Sequence, residues 1–197
     1  MQKQGKITVR ELCFIGVFAI IIAAFAQIAI PQPGGVPFTL QVWAVSLAGV
    51  ILGPKNSVVA TLVYILLGAV GVPVFSRFSG GFGVILGPVG GFILSFPILA
   101  AFAALGQKYS EKRTNKLTEK PTMFPLILGL VIGNIINLGT GLIWFSTVTG
   151  NTLLASFGMA VLPFIPVTVL QIALVPLMGR SVNTALRKAK LVIKIEN

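Results

Sequence analysis

The sequence predicts an all-α polytopic membrane protein, a six-transmembrane-helix bundle with both the N- and C-termini cytoplasmic. Three observations predict it. Of 197 residues, 55% are hydrophobic and 10% charged, where a soluble domain carries about 25% charged residues. Mean hydropathy is +0.97, and apolar runs of roughly 20 residues, enough to cross a bilayer as helices, recur along the chain. Fourteen of the fifteen Lys and Arg residues fall in segments that an even number of crossings puts on one side, as the positive-inside rule requires.

The first span covers residues 11–30. A basic stretch followed by an apolar run resembles a secretory leader. The run is long for that role, however, and no small-x-small cleavage site precedes polar sequence, so it is read as a retained helix. The second span, 38–52, ends at Gly53-Pro54, and the third, 57–70, ends at Gly71-Val72-Pro73. Both are short, which suits tilted helices or helices packed inside the bundle. The fourth covers 84–105, the fifth 124–147 and the sixth 157–178, with room for the last to continue beyond the bilayer. Residues 1–197 form a single integral membrane domain, and the polar stretch 107–121 is a cytoplasmic linker between two three-span halves.

Loop charges set the orientation. Lys3, Lys6 and Arg10 precede the first span, and Lys55 follows the second. Lys108, Lys112, Arg113, Lys116 and Lys120 stand against Glu111 and Glu119 between the fourth and fifth. Arg180, Arg187, Lys188, Lys190 and Lys194 follow the sixth. The outward connections are then 31–37, 73–83 and 148–156, and Arg77 is their only charge.

Several function classes are excluded. The net charge of +11 is not a nucleic-acid signature, because aromatic residues do not interleave with the basic ones as a stacking platform needs. One cysteine, Cys13, allows neither an internal disulfide nor a cysteine metal site. There is no His and no Asp, and Glu11, Glu111, Glu119 and Glu196 sit at ends or in cytoplasmic loops. No general acid or base is therefore positioned inside the bundle, and no base activates a Ser or Thr. A Gly-x-x-x-x-Gly-Lys-Ser/Thr phosphate loop is missing, as are the intramembrane carboxylates of a proton relay. The chain reads as a non-enzyme with no cofactor and no metal, and a self-sufficient proton symporter is disfavoured.

Small residues four apart let helices approach closely. They occur at Ala19/Ala23 (with Ala26 a turn on), Gly87/Gly91 and Gly129/Gly133. The first group is the candidate face for docking a separate membrane subunit, because the first span is otherwise bulky. Polar residues inside the spans need partners. Asn134, Asn137 and Trp144 share one helical face of the fifth span, and Thr168 and Gln171 lie three apart on the sixth. They either bond between helices or line a cavity. The proline-rich 31–37 and glycine-rich 73–83 connections cannot be regular helix throughout. Irregular backbone at membrane depth is tolerated where it lines a cavity, so the two suggest an outward pocket with a loop lid.

Four motifs carry a family resemblance. They are Pro37-Phe38-Thr39-Leu40-Gln41; Leu47-Ala48-Gly49-Val50-Ile51-Leu52-Gly53-Pro54; the run from Tyr64 to Phe75 ending Gly71-Val72-Pro73-Val74-Phe75; and Ser79-Gly80-Gly81-Phe82-Gly83-Val84-Ile85-Leu86-Gly87-Pro88-Val89-Gly90-Gly91-Phe92. In order and spacing these resemble the BioY family, with Phe164-Ile165-Pro166 adding to the match. That family comprises substrate-binding S components of energy-coupling factor (ECF) transporters, typically for biotin. The resemblance implies a six-helix fold in the cell membrane of a prokaryote. It also implies a transmembrane coupling subunit, two cytoplasmic ATPase subunits, and transport by toppling of the S component.

The departures concern the ligand. Where the family reads Phe-x-Pro-Gly-Asp-x-x-Lys, this chain has Thr168 in place of the acid and Gln171 in place of the lysine. Ser79 stands at or near a position where an Asn can contact biotin, and Val89 and Phe92 replace the more usual Thr or Ser and Tyr. Losing a charged partner to a buried polar group costs on the order of 1.5–3 kcal/mol. The expected ligand set is Ser79, Thr168, Gln171, Arg77, Gly80, Gly81, Phe75, Gln41, Asn137 and Trp144, with Arg77 meeting the ligand carboxylate in place of the lysine. The ligand is biotin or a related carboxylate such as lipoate, whose dithiolane needs no ureido partners. A stand-alone carrier and a structural membrane protein without ligand are the alternatives of other classes.

Overall fold

A computed structural model describes residues 8–32, 34–112 and 122–189. Of the charges counted above, Lys3, Lys6, Arg113, Lys116, Glu119, Lys120, Lys190, Lys194 and Glu196 lie outside these residues. Helix α1 (Val9–Gln27) opens on a capping box. The Glu11 backbone N–H donates to Thr8 Oγ1 (3.3 Å), and the Thr8 N–H donates to Glu11 Oε2 (2.8 Å). This reciprocal pair satisfies two donors that a helix start leaves open. Asn56 Nδ2 donates to the other Glu11 oxygen (3.4 Å), tying α1 to the turn after Gly53.

The first span ends earlier than expected. Residues 29–30 form a short strand, β1 (Ala29–Ile30), antiparallel to β2 (Phe38–Thr39), with Ile30 opposite Phe38. The proline-rich connection is thus the loop of a two-stranded hairpin, and residues 38–39 are extended rather than helical.

The second and third spans form one element, α2 (Gln41–Ala69), broken at Gly53 (φ 78°, ψ 174°). A straight helix would separate residues 41 and 64 by about 34 Å, yet Gln41 Nε2 donates to the Tyr64 hydroxyl. The chain therefore doubles back at Gly53-Pro54, and the arms 41–52 and 54–69 run antiparallel. Gly53 adopts a conformation open essentially to glycine. Pro54, lacking an N–H, starts the second arm without losing a bond.

The expected continuous fourth span is also broken. Its stretch comprises α3 (Phe82–Leu86), α4 (Gly90–Leu94) and α5 (Phe96–Lys112). Gly87 is extended (ψ −177°). Pro88 can neither donate to the carbonyl four residues back nor clear it sterically. Helix α6 (Phe124–Thr149) ends on left-handed Gly150. The sixth span starts later than expected: α7 (Leu153–Ala160) and a 3-10 turn (Leu162–Phe164) precede α8 (Ile165–Lys188). Pro163 and Pro166 interrupt hydrogen bonding there, while the continuation of α8 past residue 178 agrees with the sequence reading.

Among the described residues, five helical stretches are long and apolar enough to cross a membrane, one of them the doubled α2. Close packing is carried by small residues. Gly49 lies against the Ala100 carbonyl and the Ala103 side chain, and Gly129 against the Phe102 carbonyl and Gly106. The docking face expected on α1 is corrected here. Ala19 (3% exposed) and Ala26 (0%) are buried in the protein's own core, and Ala19 packs in a cluster with Ala44, Val45 and Tyr64 of α2. Only Ala23 is partly open.

Gly53→Ala is expected to destabilise the protein by about 1–3 kcal/mol, because a Cβ is strained at this backbone conformation. Gly16→Ala, where a Cβ meets nothing within 4 Å, is expected to leave the melting temperature unchanged or slightly raised. Thermal unfolding in detergent checks both.

Candidate functional site

A cavity of about 480 Å³ opens between the loops and the middle of the bundle. The β-hairpin contributes Val36, Pro37, Phe38 and Thr39, and the first arm of α2 adds Gln41, Val42 and Trp43. The 73–83 loop contributes Phe75, Ser76, Arg77 and Ser79. From the broken stretch come Val84, Val89, Phe92, Ile93 and Phe96, from α6 Asn134, Asn137 and Leu138, and from the last turn and α8 Phe164, Val167, Thr168 and Gln171. Among the described residues, Arg77 is the one ionisable side chain in this wall. The wall holds no carboxylate, imidazole or thiol, so it can retain a small molecule but offers no titrating group for proton transfer.

The loop is built on Phe75, which is 1% exposed. Its ring meets Tyr64 edge-on (5.5 Å between centroids) and lies where a Cβ on Gly68 would be, so only glycine fits beneath it. The Phe75 N–H donates to the Ser79 carbonyl (2.9 Å), and Ser79 Oγ donates to the Ser76 carbonyl (2.7 Å). Ser79 thus spends its proton closing the turn and keeps only acceptor capacity. Ser76 Oγ is buried with no hydrogen-bond partner among the described residues.

Five polar side chains deeper in the wall have fixed orientations. Thr39 Oγ1 donates to Gln41 Oε1 (2.8 Å), while the Gln41 amide holds Tyr64. Gln171, 1% exposed, donates to the Val42 carbonyl (3.2 Å) and Ser46 Oγ (2.6 Å), tying α8 to α2. Asn137 donates both amide hydrogens, to the Phe92 carbonyl (2.9 Å) and Ser95 Oγ (2.7 Å), and Asn134 donates to the Leu130 carbonyl (2.8 Å). The Oδ1 atoms of Asn134 and Asn137 accept no bond from the described residues. Two carbonyl acceptors one helical turn apart therefore remain at the cavity wall.

Of the ligand residues expected from sequence, Ser79, Thr168, Gln171, Arg77, Phe75, Gln41 and Asn137 are brought together around this cavity. Gly80, Gly81 and Trp144 are not. Trp144 Nε1 donates to the Gly87 carbonyl (2.9 Å), and its side chain lies against Gly91. It closes the backbone at Gly87-Pro88 instead of facing the cavity, because a shared helical face does not say which neighbour covers each turn. A Cβ on Gly80 would meet the Val72 carbonyl, and Gly81 (φ 95°) donates its N–H to the Gly68 carbonyl (2.6 Å). Both glycines let backbones meet. The aromatic wall of Trp43, Phe92, Phe96 and Phe164 was not foreseen as a set. Gln27, a lone amide ending an apolar run, was also missed; it holds the 73–83 loop.

The chain matches the BioY family model over residues 1–188. It is 47% identical over 98 residues to the probable biotin transporter BioY of Pyrococcus horikoshii (50% of this chain, 60% of that one). It is 48% identical over 93 residues to the biotin transporter BioY of Thermotoga maritima (47% and 54%). These alignments span little more than half the length of the relatives. With the biotin transporter BioY of Rhizobium etli it shares 31% identity over 178 residues, covering 88% and 92%. A crystal structure of the S component for biotin from an ECF-type ABC transporter superposes with TM-score 0.78 at 25% identity, over 93% of this chain and 95% of that one.

Gln171→Met is expected to cost about 1–3 kcal/mol of stability, because it removes the amide that donates to the buried Ser46 hydroxyl. With Ser46→Ala added, the total loss should fall short of the sum of the single losses. Melting temperatures of the four proteins complete the cycle.

Proposed function

Because the chain belongs to the BioY family, we propose that it is the substrate-binding S component of an ECF-type importer and that its substrate is biotin. The observation that carries the reading is a bipolar cavity: one cation toward its loop end, and neutral hydrogen-bonding groups and aromatic rings farther in. Its volume lies within the roughly 300–1,000 Å³ of small-molecule sites.

Biotin has three chemically distinct parts. Its ureido ring carries two N–H donors and a carbonyl, and the free Oδ1 atoms of Asn134 and Asn137 are matched acceptors, with the Thr168 hydroxyl as donor to the carbonyl. Its thioether ring and aliphatic chain suit Trp43, Phe92, Phe96 and Phe164. Its carboxylate meets Arg77, whose guanidinium can bind both oxygens. Lipoate shares the acid tail but has no N–H donor, so it leaves both asparagine carbonyls unanswered.

The same reading makes all six helical rods, counting the arms of α2 separately, cross a prokaryotic cell membrane with cytoplasmic termini. The chain acts in binding and transport, with no chemical step of its own. A coupling subunit and two ATPases supply the energy. Uptake by this chain alone in vesicles would favour a stand-alone carrier instead.

Titration of the purified chain in detergent should give saturable biotin binding, with lipoate at least tenfold weaker. Arg77→Ala should weaken biotin about tenfold, roughly 1.4 kcal/mol. Absence of biotin binding would sink the reading. An unchanged affinity in the variant would remove Arg77 from the site.

A further inference from the structure

Arg77 and Phe78 both sit in the left-handed backbone region, with φ of 60° and 55°. Cβ-to-carbonyl crowding disfavours that region for any residue but glycine, and consecutive non-glycine residues there are unusual. Something outside the turn must hold it. The Phe75–Ser79 bond closes its base, but the N–H of Phe78 points elsewhere.

That N–H donates to Gln27 Oε1 at 2.8 Å, from a residue 51 positions earlier in the chain. The same amide turns its Nε2 to the Phe75 carbonyl (3.1 Å), more distantly to the Val74 carbonyl (3.4 Å), and to the Ala23 carbonyl of its own helix (3.0 Å). One side chain, on the last residue of α1, thus grips both limbs of the strained turn. Gln27 does not line the cavity, while Phe75, Ser76, Arg77 and Ser79 do. Phe78 is 72% exposed and outside the wall.

We propose that Gln27 is a positioning residue for ligand binding: its amide latches the 75–79 turn in the left-handed conformation that brings Arg77 to the cavity. The part of this that concerns the ligand rests on the reading that Arg77 meets the biotin carboxylate. Loss of the latch frees the turn to relax to negative φ, which swings the guanidinium away. A glycine at 78 can hold positive φ without the latch.

The test uses the full chain with Gln27→Met, Phe78→Gly and the double variant. Without ligand, hydrogen exchange of the 75–79 backbone should quicken at least tenfold in Gln27→Met while the middle of α1 is unchanged. In titrations, Gln27→Met should weaken biotin about tenfold but shift biotin methyl ester, which lacks the carboxylate, less than twofold. Phe78→Gly should match the parent protein, and the double variant should recover most of the lost affinity. Unchanged exchange, an equal loss for acid and ester, or no recovery in the double variant would each overturn the proposal. A parent protein that does not bind biotin sinks the transport reading, and the exchange experiment then still decides the latch. If Gln27→Met does not purify as a single species, Gln27→Asn, one methylene too short to grip both limbs, replaces it with the same expected pattern.

Discussion

A bilayer core offers no hydrogen-bond partner, so backbone groups at membrane depth must be satisfied within the protein. This chain breaks its helices repeatedly, and side chains close the breaks. After Gly53-Pro54, Ser57 Oγ donates to the Pro54 carbonyl (3.3 Å). At Gly87-Pro88, Trp144 takes the Gly87 carbonyl (2.9 Å). Between α4 and α5, Ser95 Oγ donates to the Gly91 and Phe92 carbonyls (2.9 and 3.0 Å), and Asn137 shares the second. Gln27 does the same for the 73–83 loop. Much of the polarity inside the apolar runs is therefore a repair of irregular backbone, and the ligand is left the groups that repair does not use.

The breaks also create the cavity. Continuous helices through 84–105 and 157–178 would pack side chains into the space the ligand needs. Short pieces turn there instead, and Phe164 in the last 3-10 turn faces Phe38 of the hairpin (5.9 Å) and Phe92 of α4 (6.4 Å). These rings are large and have few rotatable bonds, so they brace the gap and give it an apolar lining. The β-hairpin reaches the same place because Ile30 and Phe38 pair, which brings Val36 and Pro37 to the rim.

How far the sequence could be read follows from this. Composition and hydropathy report burial in lipid, so the mostly helical, membrane-type fold and the general course of the chain were legible, as was the meeting of the 31–37 and 73–83 loops with Thr168. Helix continuity was harder. The apolar run across Gly87-Pro88 looks like a span because hydropathy is blind to a missing N–H. Ala19 and Ala26 share a face, but periodicity does not say whether this chain or another covers it; both are buried within this chain, Ala19 against α2. Trp144 and Gln27 both failed for a similar reason. Each serves a backbone carbonyl far away in sequence, and no local pattern encodes that partner.

The distribution of charge completes the argument. An Asp and Lys deep in a cavity must each be desolvated, and their attraction repays that only with excellent geometry. Thr168 and Gln171 forgo both the penalty and the strength. Gln171 spends its amide hydrogens on the Val42 carbonyl and Ser46, so at this position a helix tie stands where a ligand charge would. The single remaining cation, Arg77, is exposed and keeps its hydration while lining the mouth, the arrangement that long cationic side chains favour. Selectivity in such a site divides by depth. On the proposed reading, neutral acceptors and aromatic surface judge the head of the ligand where water is scarce, and one screened charge judges its acid tail where water is near. The fidelity of that second judgement depends on holding a strained turn still, which is why an amide at the end of α1 belongs to the chemistry of the pocket.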